Sequence, residues 1–374
     1  MSLEVTQQLL SVLSDEITLY KCVQCVADSD VNQDSSLGSL FKAETFPHKY
    51  DPKKNILDIL VEKSQLAQCF VECYKYLYMG EDGDDKLKYF AALGILLVTP
   101  EDHTAMKYVS SIRGPQYQQD FQFRIICAYL TSSIAKTNKS SSLWVCFRRL
   151  LVKLMEDDRC NVGPLSRVTL KIILISVKVH PRNYYAFNTL RFLIAMLRDN
   201  GDRSLLNYYE ASIMEYLKTD GLDDYSMWMA LVQLATGLST EEYYLKEFRR
   251  YCSYKWDAEF IEYRYTNDSY SDLVNWLRGS EYKYYSGWYA ALIISTNMGN
   301  DLPDLEMYFE LSYINFENSH SCIIESRTEI LRDKNSGDAI NLDEDLLLKE
   351  KFTKNLAFKK ICTQKAKEST EQVS

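Results

Sequence analysis

Cys22 and Cys25 stand in a Cys-x-x-Cys spacing, and Cys69 and Cys73 stand four residues apart. A structural zinc site takes four such ligands in a tetrahedron, and an i, i+4 pair shares one helix face. The plainer reading, taken here, makes all four small buried hydrophobes and assigns the chain no metal. His48, His103, His180 and His320 are far apart, and none has a ligand-like neighbour. The run Glu81-Asp82-Gly83-Asp84-Asp85 has the composition of a calcium loop but lacks its alternating ligands and closing glutamate. It reads as a solvated turn before a helix. The phosphate-cradling GxxxxGK[ST] is absent, as are GxGxxG, GxSxG and HExxH. No nucleophile, base or metal set is complete, so the sequence assigns no catalytic residues of its own.

The elements that would carry any site are helices. Glycine and proline number 13 and 7, together about 5% of the chain against roughly 12% in an average one. That leaves little material for the turns of a sandwich or barrel. Aromatic residues make up 13%, too many for a chain unable to build a core. The formal net charge is −9 and the pI about 5.2, which gives no electrostatic support for binding a phosphate backbone. The longest apolar runs, Ala91–Val98 and Trp288–Ile294, fall well short of the ~18 residues that span a bilayer. The start, MSLEVTQQLL, lacks a secretory signal's basic and apolar segments. Ten scattered cysteines read as reduced thiols, and the expected compartment is the cytoplasm.

One pattern recurs along the chain. Tyr184, Tyr225 and Tyr285 each precede a bulky aromatic, Phe187, Trp228 or Trp288, by three residues. Ser140–Trp144 and Asp102–Met106 align in the same register. The anchors Met106, Trp144, Phe187, Trp228 and Trp288 are spaced by 38, 43, 41 and 60 residues. A period near forty suits a pair of antiparallel helices. The long last gap holds Ser253–Ser280, read as an insertion or an extra helix. A capping Ser, Asn or Asp stands four residues before several anchors. Phe187, Leu190, Ile194 and Leu197 form a helical stripe. The expected fold class is all-α, an α-α superhelical solenoid: a crescent of stacked hairpins.

The segment Pro181-Arg-Asn-Tyr-Tyr-Ala-Phe-Asn-Thr-Leu-Arg-Phe-Leu193 resembles the repeat of protein prenyltransferase α subunits, Asn-Tyr-x-x-Trp-x-x-Arg-Arg. Asn183 and Tyr184 match its Asn-Tyr, Phe187 takes the Trp position and Arg191 the second Arg. Trp144 and Arg148 match in the repeat before. The later repeats keep Tyr225 with Trp228 and Tyr285 with Trp288 but lose both arginines; Met106 replaces Trp in the first. Over roughly residues 50–300, including the stretch from Asn55 to Gln65, the chain is most similar to the α subunit of the third-type protein geranylgeranyltransferase. The resemblance implies a subunit that is inactive alone and wraps a Rab-type geranylgeranyltransferase β subunit. Zinc and geranylgeranyl diphosphate would sit in that partner, with no cofactor on this chain. The acceptor would be a cysteine of a SNARE-type protein. Arg182 takes the place of a family lysine that faces the diphosphate, and Tyr184 is the matching aromatic; both are diphosphate-facing candidates by this analogy.

Three regions follow: an N-terminal helical region at 1–80, the repeats at 81–312, and a C-terminal helix with a polar tail at 313–374. Two other readings stand beside the transferase subunit. One is a TPR-like helical adaptor that binds protein partners without an enzymatic role. The other is a free-standing enzyme, for which no site is visible.

Overall fold

The computed structural model describes residues 3–15, 20–26, 48–51, 56–79, 84–111, 116–157, 162–200, 202–237, 241–252, 263, 265–280, 282 and 284–299. The expected tail at 313–374 lies outside these residues. The fold is all-α in character, with fourteen α-helices and one small sheet among the described residues. The chain divides into two compact units. Unit 1 holds Met1–Tyr216 and Gly237–Tyr263; unit 2 holds Leu217–Thr236 and Arg264–Ser374.

Unit 1 opens with α1 (Glu4–Ser14), then β1 (Lys21–Val26), β2 (His48–Asp51) and β3 (Ile56–Glu62). The order is β1-β3-β2, with β1 parallel and β2 antiparallel to β3. The region at 1–80, read from the sequence as helical, carries these three strands beside its helices. The physical reason is visible in β3, where Leu57, Ile59 and Val61 are buried and the residues between them are not. That is a period of two, which a helix cannot bury on one face. The free edge of β1 is taken up by the turn after α5: Ser133 N donates to Val23 O at 2.8 Å, and Cys25 N to Ser133 Oγ at 3.1 Å.

The helices of unit 1 follow: α2 (Lys63–Tyr74), running into a π-helical turn at Lys75–Met79, α3 (Asp85–Val98), α4 (His103–Ser111), α5 (Gln116–Leu130), α6 (Ala135–Asn138), α7 (Ser141–Asp157), α8 (Val162–Val179), α9 (Tyr184–Asn200) and α10 (Arg203–Thr219), which ends in unit 2. Unit 1 resumes with α12 (Glu241–Tyr251). Unit 2 holds α11 (Tyr225–Thr236), α13 (Asn267–Gly279) and α14 (Tyr285–Met298). Helix α13 is the extra helix expected within 253–280.

The repeat register is real at the level of local structure. Met106, Trp144, Phe187 and Trp228 each donate their backbone N–H to the residue four before, at 2.9 to 3.2 Å. Those four residues, Asp102, Ser140, Asn183 and Asp224, accept with their side chains from the N–H three residues on. Each thus satisfies an N–H that the helix cannot. A second device recurs at the three tryptophans. The indole of Trp144 donates to Asn138 O at 2.8 Å, that of Trp228 to Leu222 O at 3.0 Å, and that of Trp288 to Tyr282 O at 3.1 Å. Each bond folds the loop six residues upstream back onto the first turn.

Candidate functional site

The described residue with the most unusual local backbone is Arg182. It has φ +61, the left-handed region that bulky side chains rarely take. Its neighbour Asn183 is fully buried and explains the bend. Asn183 Nδ2 donates to Asn138 Oδ1 at 2.8 Å and to Ser176 Oγ at 3.1 Å while its own Oδ1 caps α9. Asn138, also fully buried, donates to Leu130 O and accepts from Ser176 Oγ. Two side-chain amides thus tie the ends of α5, α6 and α8 to the start of α9. With Asn183 drawn inward, the next residues point out: Tyr184 is 68% exposed and Tyr185 40%.

Helix α12 packs beside α9. Tyr244 Oη donates to Asn188 Oδ1 at 3.5 Å, and the Phe192 and Phe248 rings stand 6.1 Å apart. Both pairs are separated by 56 residues in sequence, so the two helices run parallel and their first residues lie level. Tyr243, 70% exposed, therefore stands at the same end as Tyr184 and Tyr185.

A buried ion pair holds this arrangement. Arg148 of α7 donates to Glu247 Oε1 of α12 through Nε at 2.9 Å and Nη2 at 2.7 Å, and to Thr189 Oγ1 of α9 through Nη1 at 3.1 Å. Tyr251 Oη adds a further donor to Glu247. The Arg148 and Glu247 side chains are 9% and 14% exposed. The guanidinium also lies over the Phe192 ring. The arginine that matched a repeat motif in the sequence is thus a clamp between three helices.

Most of the other motif residues are packed into the fold. Trp144, Asn183, Phe187, Trp228 and Trp288 are buried, Met106 and Arg191 are half-buried, and Tyr225 is exposed at the start of α11. Tyr285 is the first residue of α14. Three of the four thiols singled out, Cys22, Cys69 and Cys73, are buried, and Cys25 is half-buried. Burial pushes Cys22 up to about 12, Cys69 to about 11 and Cys73 to about 12, so they stay protonated and unreactive near neutrality. Cys69 and Cys73 pack on Thr6 from α2, while Cys22 and Cys25 belong to β1. Among the described residues no cluster of three His, Cys, Asp or Glu side chains could hold a metal. Glu247, Thr189, Asn138 and Tyr243 were not singled out from the sequence. The clamp spans 99 residues, and no local periodicity signals such a pair.

Comparison with known proteins decides the family. Residues 1–112 match the ECM9 N-terminal domain and residues 143–255 the ECM9 middle domain. Together they cover more than half of the chain, in order. The chain belongs to the ECM9 family. It is similar to Protein ECM9 of Saccharomyces cerevisiae, 26% identical over 204 residues that make up 51% of this chain and 52% of the relative. The chain therefore matches about half the length of that curated relative. These matches overturn the assignment to the prenyltransferase α-subunit family, and with it the geranylgeranyltransferase function, the Rab-type β-subunit partner and the SNARE acceptor. The repeat pattern that suggested them is the signature of a capped helix start with an anchored aromatic, which packing alone demands. Arg182 and Tyr184 accordingly lose their diphosphate-facing assignment; both are exposed residues at the start of α9. Among the described residues of this ECM9-family chain, no helix is long and apolar enough to cross a membrane.

Proposed function

We propose that this ECM9-family chain is a binding protein whose unit 1 engages another polypeptide through Tyr184, Tyr185 and Tyr243. The single observation that carries this reading is the display of three tyrosines, 40 to 70% exposed, at the level ends of two parallel helices. Tyrosine is enriched in protein interfaces because it offers a large contact area with only two side-chain torsions to fix. The surface is also rigidly backed, by Arg148–Glu247 within and by Asn138–Asn183 at the helix start. A preorganised face loses little ordering entropy on binding. The reading gives the isolated chain no turnover and no cofactor of its own. It places the chain in the cytoplasm, a compartment supported by seven free cysteines among the described residues.

The test is site-specific photo-crosslinking in the native host. A benzophenone side chain replaces Tyr184 or Tyr243 in the full chain, with a control at exposed Lys75. A discrete protein adduct from both tyrosine positions and not from the control is the expected result. Crosslinking no stronger than at Lys75 would dispose of the reading.

A further inference from the structure

We infer that helix α12 is a strap: it lifts from α9 in one piece while the limits of the segment that carries it stay pinned, and seating it is what brings Tyr243 level with Tyr184 and Tyr185. The second half of this statement rests on the reading of those tyrosines as a binding face, and adds its regulation. The chain leaves unit 1 after Tyr216, returns at Gly237 and leaves again after Tyr263. Helix α12 lies on that single return segment, and one side chain of α9 touches both of its limits. The Arg198 guanidinium lies over the Tyr263 ring, 6.0 Å from its centre. It also fills the space beside Gly237, where a Cβ would come within 2.8 Å of its Cζ. Tyr263 Oη donates to Glu210 Oε2 of α10 as a second fastening. Gly237 has φ +62, a left-handed backbone that glycine adopts without the cost a side chain would bring. Pinned limits with a glycine joint are the anatomy of a hinged element.

Between those limits α12 is lightly held. Of its described side chains Tyr244 and Phe248 are buried, whereas α9 buries Phe187, Leu190, Phe192, Leu193, Ile194 and Leu197. Elements with little buried apolar surface open ahead of the core. The polar fastening is gathered on one carboxylate, since Glu247 accepts both from Arg148 and from Tyr251 Oη. Parting such a buried pair returns both charges to water, which offsets much of the lost attraction. Two outer contacts, Arg249 with Asp199 at 4.0 Å and Arg149 over the Tyr251 ring at 5.2 Å, are made by exposed arginines and contribute little. The lifted helix carries Tyr243 away while Tyr184 and Tyr185 stay on α9. A partner that packs against all three tyrosines binds the seated form alone, and shifts the strap towards it.

The experiment is hydrogen exchange of the full chain, read by mass spectrometry with no partner present. The amides of α12 are expected to exchange together, through an opening that α7 and α9 do not share. Arg148→Met should speed α12 at least about tenfold and leave α9 within about twofold of the parent. Tyr251→Phe, which removes one donor to Glu247 and leaves the core untouched, should act in the same direction. Arg198→Met, or Gly237→Ala with its displaced guanidinium, should also speed α12 although Arg148 and Glu247 are intact. Exchange of α12 only together with α7 and α9, exchange graded from one end of the helix as in fraying, or an α12 indifferent to the Arg198 and Gly237 variants overturns the inference. Its failure is separable from that of the reading beneath it. Photo-adducts at Tyr184 and Tyr243 in a chain whose α12 opens only globally sink the strap and leave the binding face; a separate opening of α12 without adducts at either position sinks the face and leaves the strap.

Discussion

The Arg148–Glu247 clamp yields the most quantitative expectation. Two charge-assisted hydrogen bonds, at 2.7 and 2.9 Å, join side chains only 9% and 14% exposed. With the centres of the two delocalised charges about 4 Å apart and an effective dielectric constant near 20, the attraction is about 4 kcal/mol. Removing each charge from water costs several kcal/mol, so the intact pair lies near break-even against a well-packed apolar replacement. Removing one partner is different, because it strands the other charge among Phe192, Thr189 and the helix backbones. Glu247→Gln and Arg148→Met should each destabilise unit 1 by about 3 kcal/mol. The double variant strands no charge, so it should lose less than either single variant and far less than the sum of about 6 kcal/mol, a coupling of at least about 3 kcal/mol. Urea unfolding of the full chain gives the four free energies. Hydrogen exchange should show the loss concentrated in α12, which the clamp ties to α7 and α9. Additive single effects, with coupling below about 0.5 kcal/mol, or unchanged protection of α12, would refute the claim that this pair holds the helix.

Two further outcomes are expected. Phenylalanine at Trp144, Trp228 or Trp288 keeps a large ring but removes the indole donor to Asn138 O, Leu222 O or Tyr282 O; because Asn138 O still accepts from Asn183 Nδ2 and Leu222 O from Tyr282 Oη, each loss in chemical unfolding should be about 0.5–1.5 kcal/mol, and no loss at any of the three sites would show that the indole bonds do not contribute. Lys21 is 3% exposed, its ammonium donates to Leu13 O and Asp15 O at the end of α1, and burial lowers it to about 8. Its folded value lies below the unfolded one, so its unfavourable contribution is full below pH 8 and fades as pH rises towards about 10.5, by at most about 3 kcal/mol. The buried thiols titrate with the opposite sign, so the readout is the difference between the parent and Lys21→Met; a difference that stays constant from pH 7.5 to about 10.5 would contradict this account.

The helical repeats show how far a pattern reaches. Ser140, Asn183 and Asp224 could be read as caps because an N-cap acts on its own next turn, and the structure places each there, with Asp102 doing the same. The alternation of Leu57, Ile59 and Val61 was equally present in the sequence, but a resemblance spanning Asn55–Gln65 drew that stretch into a helical scheme. Tyr-x-x-Trp misled about chemistry for a related reason. It meets the packing demands of any helix start with an indole bonded to the loop behind it, so the same spacing arises without the same activity.

The sequence by itself determined the helical class, the caps and the aromatic anchors, since these depend on residues within about one or two turns of each other. Tertiary structure alone decided that α12 runs parallel to α9, that Glu247 meets Arg148 from 99 residues away, and that Tyr184, Tyr185 and Tyr243 share one end. A buried charge or amide is stable only where distant partners satisfy it. Which distant residues meet is fixed by the packing of the whole unit and leaves no trace in the local spacing.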